Sequence, residues 1–232
     1  MDFSSLRFND VGRHFGRRRA LHRVTFTCEA GQIVAVLGAN GAGKSTLLSI
    51  AATLLRPSAG EVLYGERPAE DLGAPLRGRI GVLGHDLFLY GELTAAENLA
   101  FFARLYGLSN VEATVSASLE RALLHDRADE PVSGFSRGMR QRLALERTLL
   151  HSPRLLLLDE PFTGLDEASS IALRRRLAEA RHAGAIVVVT THDLEAIEGL
   201  VDAAVILTKG RAEPLEPGTG SLRQRYQRHV VS

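Results

Sequence analysis

Apolar positions change rhythm along this chain. Leu6, Phe8 and Val11, then Val24, Phe26 and Cys28, recur at near-alternating spacing around the basic turn Gly16 to Arg19, which predicts two antiparallel strands. Ile33 to Leu37 is a continuous apolar run ending in a glycine-rich loop, and Thr46 to Leu55 then has helical composition. The order here is strand, loop, helix.

Leu93-Thr94-Ala95-Ala96-Glu97 has the spacing of a capping box, so a helix is predicted to begin there. Leu99, Phe102 and Tyr106 continue it on one face, and Gly107 is its end signal. With Val111 to Leu124, this makes the chain helix-rich between about residues 86 and 148. Leu155 to Leu158 and Ala185 to Val189 read as buried parallel strands, separated by an amphipathic stretch carrying Ile171, Leu173 and Leu177. Val205 to Leu207 is one more strand, and Glu213 to Ser232 is a polar end with no further domain. No internal repeat or low-complexity tract interrupts the pattern.

A length of 232 residues fits one large domain, or a core with an inserted subdomain. Hydrophobic residues at 45% and charged residues at 24% supply a substantial core and argue against disorder. The 28 basic and 27 acidic residues nearly cancel, which removes the global electrostatic argument for nucleic acid as a partner. The single cysteine, Cys28, forms no internal disulfide, fits a reducing compartment, and reads as buried strand filler. No apolar run approaches the roughly 20 residues of a membrane span. Met1 to Phe8 lacks the pattern of a secretory signal, so a cytoplasmic address is expected.

Gly38-Ala39-Asn40-Gly41-Ala42-Gly43-Lys44-Ser45-Thr46 satisfies the Walker A pattern of a phosphate-binding loop, placed after a predicted strand and before a helix. Glycines let backbone N–H groups converge on phosphate oxygens, and a helix N-terminus adds its positive dipole. Gly38, Asn40, Gly41, Ala42, Gly43, Lys44, Ser45 and Thr46 are therefore candidate ATP-binding positions. Lys44 brings charge to the β- and γ-phosphates, and Ser45 offers a hydroxyl to Mg²⁺. A passive glycine-rich turn has no need of this lysine and hydroxyl.

Leu155-Leu156-Leu157-Leu158-Asp159-Glu160 closes an apolar strand with two carboxylates, a Walker B pattern. The carboxyl end of such a strand lies beside the phosphate loop in a parallel sheet, so Asp159 is placed to hold the Mg²⁺ shell. Glu160 is then the candidate catalytic base, orienting the attacking water and accepting its proton.

Between these motifs lies Phe135-Ser136-Arg137-Gly138-Met139-Arg140-Gln141-Arg142, which resembles the signature of the ABC ATPases. The family pattern begins L-S-G-G-Q. Ser136 and Gly138 match it, whereas Phe135, Arg137 and Met139 depart. Pro161 to Asp166 resembles the family's D-loop, and Thr190-Thr191-His192-Asp193 places His192 as its switch histidine, in the catalytic set with Glu160 and Lys44. Phe15 stands where the family keeps an adenine-stacking aromatic, the other reading being a core phenylalanine. Where the family's Q-loop has glutamine, this chain has His85; either His85 or the neighbouring Asp86 takes that metal-sensing place.

The resemblance spans Leu6 to about Arg211. It implies an α/β fold: a P-loop, RecA-like core with an antiparallel β subdomain (residues 1–85 and 149–232) and an inserted α-helical subdomain (86–148). It also implies ATP and Mg²⁺ as cofactors and a head-to-tail homodimer in which Ser136 and Gly138 of one copy cover the ATP of the other. Integral membrane transporter subunits are implied partners, engaged from the cytoplasmic face of the membrane, with Phe101 and Phe102 as candidates for the receiving groove. A narrower likeness, carried by His85, residues 93–108 and the signature, is to the haem-exporter ATPases of cytochrome c maturation. Exporters of drugs or other small molecules and non-transport ABC ATPases are the alternatives. The latter usually show two cassettes or a long coiled-coil insertion, neither of which occurs here.

Overall fold

A computed structural model describes residues 2–231 of the chain; Met1 and Ser232, the outer limits of the predicted domain, lie outside the described residues. The opening hairpin forms as expected, from β1 (Ser5–Phe15) and β2 (Arg18–Glu29). Next come β3 (Ile33–Leu37), α1 (Lys44–Ala51), β4 (Ala59–Tyr64), β5 (Arg67–Pro68), α2 (Ala69–Arg77) and β6 (Ile80–Leu83). The helical stretch consists of α3 (Ala95–Leu105), α4 (Val111–Arg121) and α5 (Arg137–Leu149). Then β7 (Leu155–Asp159), α6 (Glu167–His182), β8 (Ile186–Thr190), β9 (Ala203–Thr208), β10 (Arg211–Pro214) and α7 (Leu222–Val231) complete the order.

Two sheets organise the molecule. An antiparallel one runs β2-β1-β4-β5, and a six-stranded one runs β10-β9-β3-β8-β7-β6. In the second, β9, β3, β8, β7 and β6 are parallel to their neighbours, and only the edge strand β10 runs antiparallel to β9. Alternation along each strand sends side chains to opposite faces. Val34, Val36, Leu155 and Leu157 join α1 and the antiparallel sheet in one core. Ile33, Leu37, Leu156 and Leu158 point the other way, onto Leu173 and Leu177 of α6. Apolar side chains on both faces explain why these strands read as unbroken hydrophobic runs.

The buried members of a third core all fall within residues 95–150, where Leu99 and Phe102 of α3, Leu119 of α4 and Leu143 of α5 pack together, with Leu89 against them. The capping box that starts α3 is complete: the Glu97 amide donates to Thr94 Oγ1 (3.1 Å) and the Thr94 amide to Glu97 Oε2 (2.8 Å). Such a cap is worth about 1 kcal/mol. Gly107 follows the end of α3 with a φ of 70°, the left-handed conformation glycine adopts freely.

Several boundaries differ from the sequence reading. The helix after the phosphate loop is Lys44–Ala51 rather than Thr46–Leu55, since Thr53 turns into a left-handed conformation (φ 61°). Ile171 is exposed although Leu173 and Leu177 are buried, because two residues carry a side chain about 200° round a helix. The polar C-terminal stretch is not plain coil: it supplies β10 and α7, anchored by buried Leu215 and Leu222. Among the described residues no helix is long and apolar enough to cross a membrane.

Candidate nucleotide and hydrolysis site

Parallel strands deliver their carboxyl ends to one edge of the sheet, and the loops that follow β3, β6, β7 and β8 meet there. They border a cavity of about 760 Å³. Asn40, Gly41, Gly43, Lys44, Ser45 and Thr46 line it from the glycine loop, Asp159 and Glu160 from the end of β7, and His192 from the turn after β8. Phe15 and His85 also line it, from the first hairpin and from the loop after β6. Residues far apart in sequence, from Phe15 to His192, thus share one space.

The loop's glycines are structural requirements. Gly38 and Gly43 have φ of 148° and 110°, and a Cβ on them would come within 2.3 Å of the Leu207 carbonyl and 2.6 Å of the Ala20 carbonyl. Gly38 and Ala42 stand behind the cavity wall rather than on it. Lys44, only 7% exposed, donates from Nζ to the carbonyl of Gly38 at 2.7 Å and lies 3.8 Å from Glu160 Oε1.

Asp159 and Glu160 are held differently. Thr190 Oγ1 donates to Asp159 Oδ1 at 2.5 Å, and the other carboxylate oxygen has no protein partner among the described residues. The Glu160 amide donates to the Thr190 carbonyl, and its φ is 51°. Its Oε2 receives the His192 amide at 3.2 Å and faces His192 Nδ1 at 2.8 Å. The carboxylate of Glu160 therefore sits between an ammonium and an imidazole, fixed on both sides.

Phe15 is 47% exposed at the tip of the β1–β2 hairpin, with the Arg13 guanidinium 4.7 Å from its ring centroid. This overturns its reading as a core phenylalanine. His85 lines the cavity and Asp86 does not. Ser136 caps α5, accepting from the Met139 amide at 3.3 Å, but neither it nor Gly138 borders the cavity of its own chain. Asp166, at the end of the Pro161–Asp166 segment, caps α6 by accepting from the Ser169 amide at 2.8 Å.

Arg18, and Arg137, Arg140 and Gln141 of the signature segment, are among the cavity-lining residues to which the sequence pattern gives no site role. Gln141 Nε2 donates to the Pro161 carbonyl at 3.1 Å, tying α5 to the segment after β7. Its place on the helix opened by the signature segment was the available signal. Beside the cavity, the chain beyond His85 continues into Phe88 and Tyr90, which with Phe101 and Leu105 are large apolar side chains left exposed. Phe102, by contrast, is buried in the helical core.

The geometry has close counterparts. Residues 21–163, more than half of the chain, match the ABC transporter family. The chain is 36% identical over 208 residues to the ABC transporter ATP-binding protein NatA of Bacillus subtilis, a match covering 87% of this chain and 85% of that one. It is 35% identical to the Nod factor export ATP-binding protein I of Burkholderia lata, over 91% of this chain and 70% of the relative. Among solved structures, an ATP-binding subunit of an ABC transporter superposes with a TM-score of 0.86 at 31% identity, covering 97% of this chain and 99% of the other. CbiO1 of Clostridium perfringens, part of the ABC transporter complex cbiONQ, superposes at 0.79 with 26% identity, covering 92% and 88%. With the phosphate loop, the acid pair and these relatives together, the chain belongs to the ABC transporter family as one of its ATP-binding, ATP-hydrolysing subunits.

Proposed function

We propose that this chain powers export across the cytoplasmic membrane by closing as a head-to-tail homodimer around two ATP molecules and reopening after hydrolysis. The observation that carries the reading is the convergence of Lys44, Ser45, Asp159, Glu160 and His192 on one cavity. Glu160 orients the attacking water and takes its proton, a role for which a carboxylate fixed by two neighbours is suited. We assign to Lys44, 3.8 Å from Glu160, and to His192, 2.8 Å from it, the stabilisation of charge on the terminal phosphate. Phe15, exposed at the mouth, offers its ring to adenine.

The donors present fit Mg²⁺. Ser45 gives a hydroxyl, and Asp159 keeps one carboxylate oxygen without a protein partner among the described residues. Among those residues no cluster of three or more His, Cys, Asp or Glu could hold a metal alone, which suits an ion that draws most of its shell from water and phosphate. When bound, Mg²⁺ neutralises charge building on the phosphate oxygens. We place His85 beside this set as the counterpart of the family's Q-loop glutamine.

Ser136 and Gly138 lie off their own chain's cavity, which supports their action across a dimer on the partner's nucleotide. A helix start with a hydroxyl cap is a ready anion site for that purpose. The exposed side chains of Phe88, Tyr90, Phe101 and Leu105 form the proposed seat of a membrane subunit, which places the chain peripherally on the cytoplasmic face. The name of one relative includes Nod factor export, so we retain export as the direction. A haem cargo, suggested by the narrower sequence likeness, finds no counterpart in the names of these relatives.

Size-exclusion chromatography of Glu160→Gln with and without ATP and Mg²⁺, beside ATPase assays of both proteins, tests the reading. An ATP-dependent dimer with hydrolysis abolished is expected. A persistent monomer with normal hydrolysis overturns both the dimer and the role of Glu160.

A further inference from the structure

The β1–β2 hairpin is rich in arginine, and its guanidinium groups are not equivalent. Arg7 pairs with Glu66, Arg23 with Asp10, Arg19 contacts His22 Nδ1 at 3.3 Å, and Arg13 donates to the Arg56 carbonyl while covering the ring of Phe15. Arg17 and Arg18 make no side-chain hydrogen bond or ion pair among the described residues. Of these two, Arg18 alone lines the nucleotide cavity.

Its position is specific. Arg18 is the cross-strand partner of Phe15, so the two project from the same end of the hairpin, and both reach the cavity. Arg18 Nη2 lies 3.8 Å from where a Cβ on Gly41 would stand. Gly41 has a φ of 80° and no side chain, so the guanidinium faces the middle of the phosphate loop directly. Lys44, the loop's own cation, has its charge partly offset by Glu160 at 3.8 Å. Arg18 has no such counterion among the described residues.

We propose that Arg18 is a nucleotide-contacting residue that grips the phosphate chain from the hairpin side, opposite the backbone donors of the loop. This rests on the reading that the cavity takes ATP. A guanidinium presents a planar fork matched to two phosphate oxygens, and an unpaired one is available without breaking an existing bond. Gly41 keeps the approach open: with no side chain of its own, it leaves the fork facing the loop backbone. Because the loop's middle cradles the inner phosphates, the contact serves ATP and ADP alike.

The test is titration of fluorescent N-methylanthraniloyl ATP and ADP into wild type, Arg18→Gln, Arg18→Lys, Arg17→Gln and Lys44→Ala, with adenosine as a competitor. Arg18→Gln is expected to weaken both nucleotides about tenfold while leaving adenosine competition unchanged, the loss of one charge-assisted contact. Arg18→Lys should fall between it and wild type, keeping the charge but not the fork. Arg17→Gln, an exposed arginine off the cavity, should stay within about twofold of wild type, as surface changes away from a contact do. ATP affinity of Arg18→Gln within about twofold of wild type, or equal losses for ATP and adenosine, overturns the proposal. Wild type binding ATP no better than Lys44→Ala would instead overturn the nucleotide reading of the cavity itself.

Discussion

His192 closes on Glu160 with two groups at once: its amide donates to Oε2 at 3.2 Å, and its ring Nδ1 lies 2.8 Å from the same oxygen. The backbone part of this grip does not depend on the imidazole and remains available in an alanine variant. His192→Ala is therefore expected to leave ATP affinity within a few-fold and to lower turnover about 100-fold, since positioning of an acid–base group contributes on that order. Steady-state ATPase assays with equilibrium binding on the same protein check it; unchanged turnover would remove His192 from the mechanism.

Glu146 of α5 is 1% exposed and receives two guanidinium groups, Arg121 of α4 at 2.9 Å and Arg176 of α6 at 2.6 Å. These bonds join the helical stretch to the helix flanking the large sheet. Glu146→Ala would leave Arg176, whose side chain is 14% exposed, with Glu179 as its remaining carboxylate partner and would strip Arg121 of its own. Losing charge-assisted hydrogen bonds at a buried acceptor, with one guanidinium keeping a second carboxylate and the other partly in water, costs about 2 kcal/mol, which for a chain of this size lowers the melting temperature by about 6 °C. Thermal unfolding by circular dichroism reads this, and Glu146→Gln, which keeps the acceptor, should recover part of it.

His151 stacks on Tyr106 with ring centroids 4.0 Å apart, and burial lowers its pKa from the ordinary histidine value. The folded protein therefore resists protonating it, while the unfolded chain takes the proton near an ordinary pKa of about 6.5. Stability contributed by the neutral ring is complete above that pH and declines as pH falls below it. Urea unfolding at about pH 7.5 and about pH 5.5, on either side of that value, should show a larger loss for wild type than for His151→Phe. Equal losses would assign the acid sensitivity to other groups.

The expectations that held and those that failed have physical reasons. Strands β3, β7 and β8 were legible because they are apolar on both faces, and the phosphate loop and acid pair because their chemistry allows few alternatives. The region from β4 to β6 was not read as regular structure: β4 is mostly exposed at its start, and α2 carries Gly73 and Pro75 inside it, residues that ordinarily mark a break. The end of the chain failed for a different reason, since α7 is strongly polar and is held by a few anchors such as Leu222. Arg18 escaped notice because a run of arginines, Arg17 to Arg19, looks like a solvated turn until the hairpin's approach to Gly41 is seen. His85 was found only by its alignment with the Q-loop, and its place on the cavity was visible only in three dimensions.

Cys28 sits on β2 with no exposure, and burial pushes its thiol up to about 12. Thiolate is the reactive form, so the native protein should resist iodoacetamide at about pH 8, where an ordinary free thiol reacts. Mass spectrometry should find a single added carbamidomethyl group only after denaturation. Rapid labelling of folded protein would show that β2 opens.

Glu160 holds its backbone at a φ of 51°, a region that a residue of its kind seldom occupies and that costs of order 1 kcal/mol. Asparagine tolerates the same angle with less strain, so position 160 is one where evolution for heat resistance and evolution for turnover pull in opposite directions. A laboratory selection rewarding only persistence at high temperature would have reason to replace this glutamate, and its survivors would fold well and do no work.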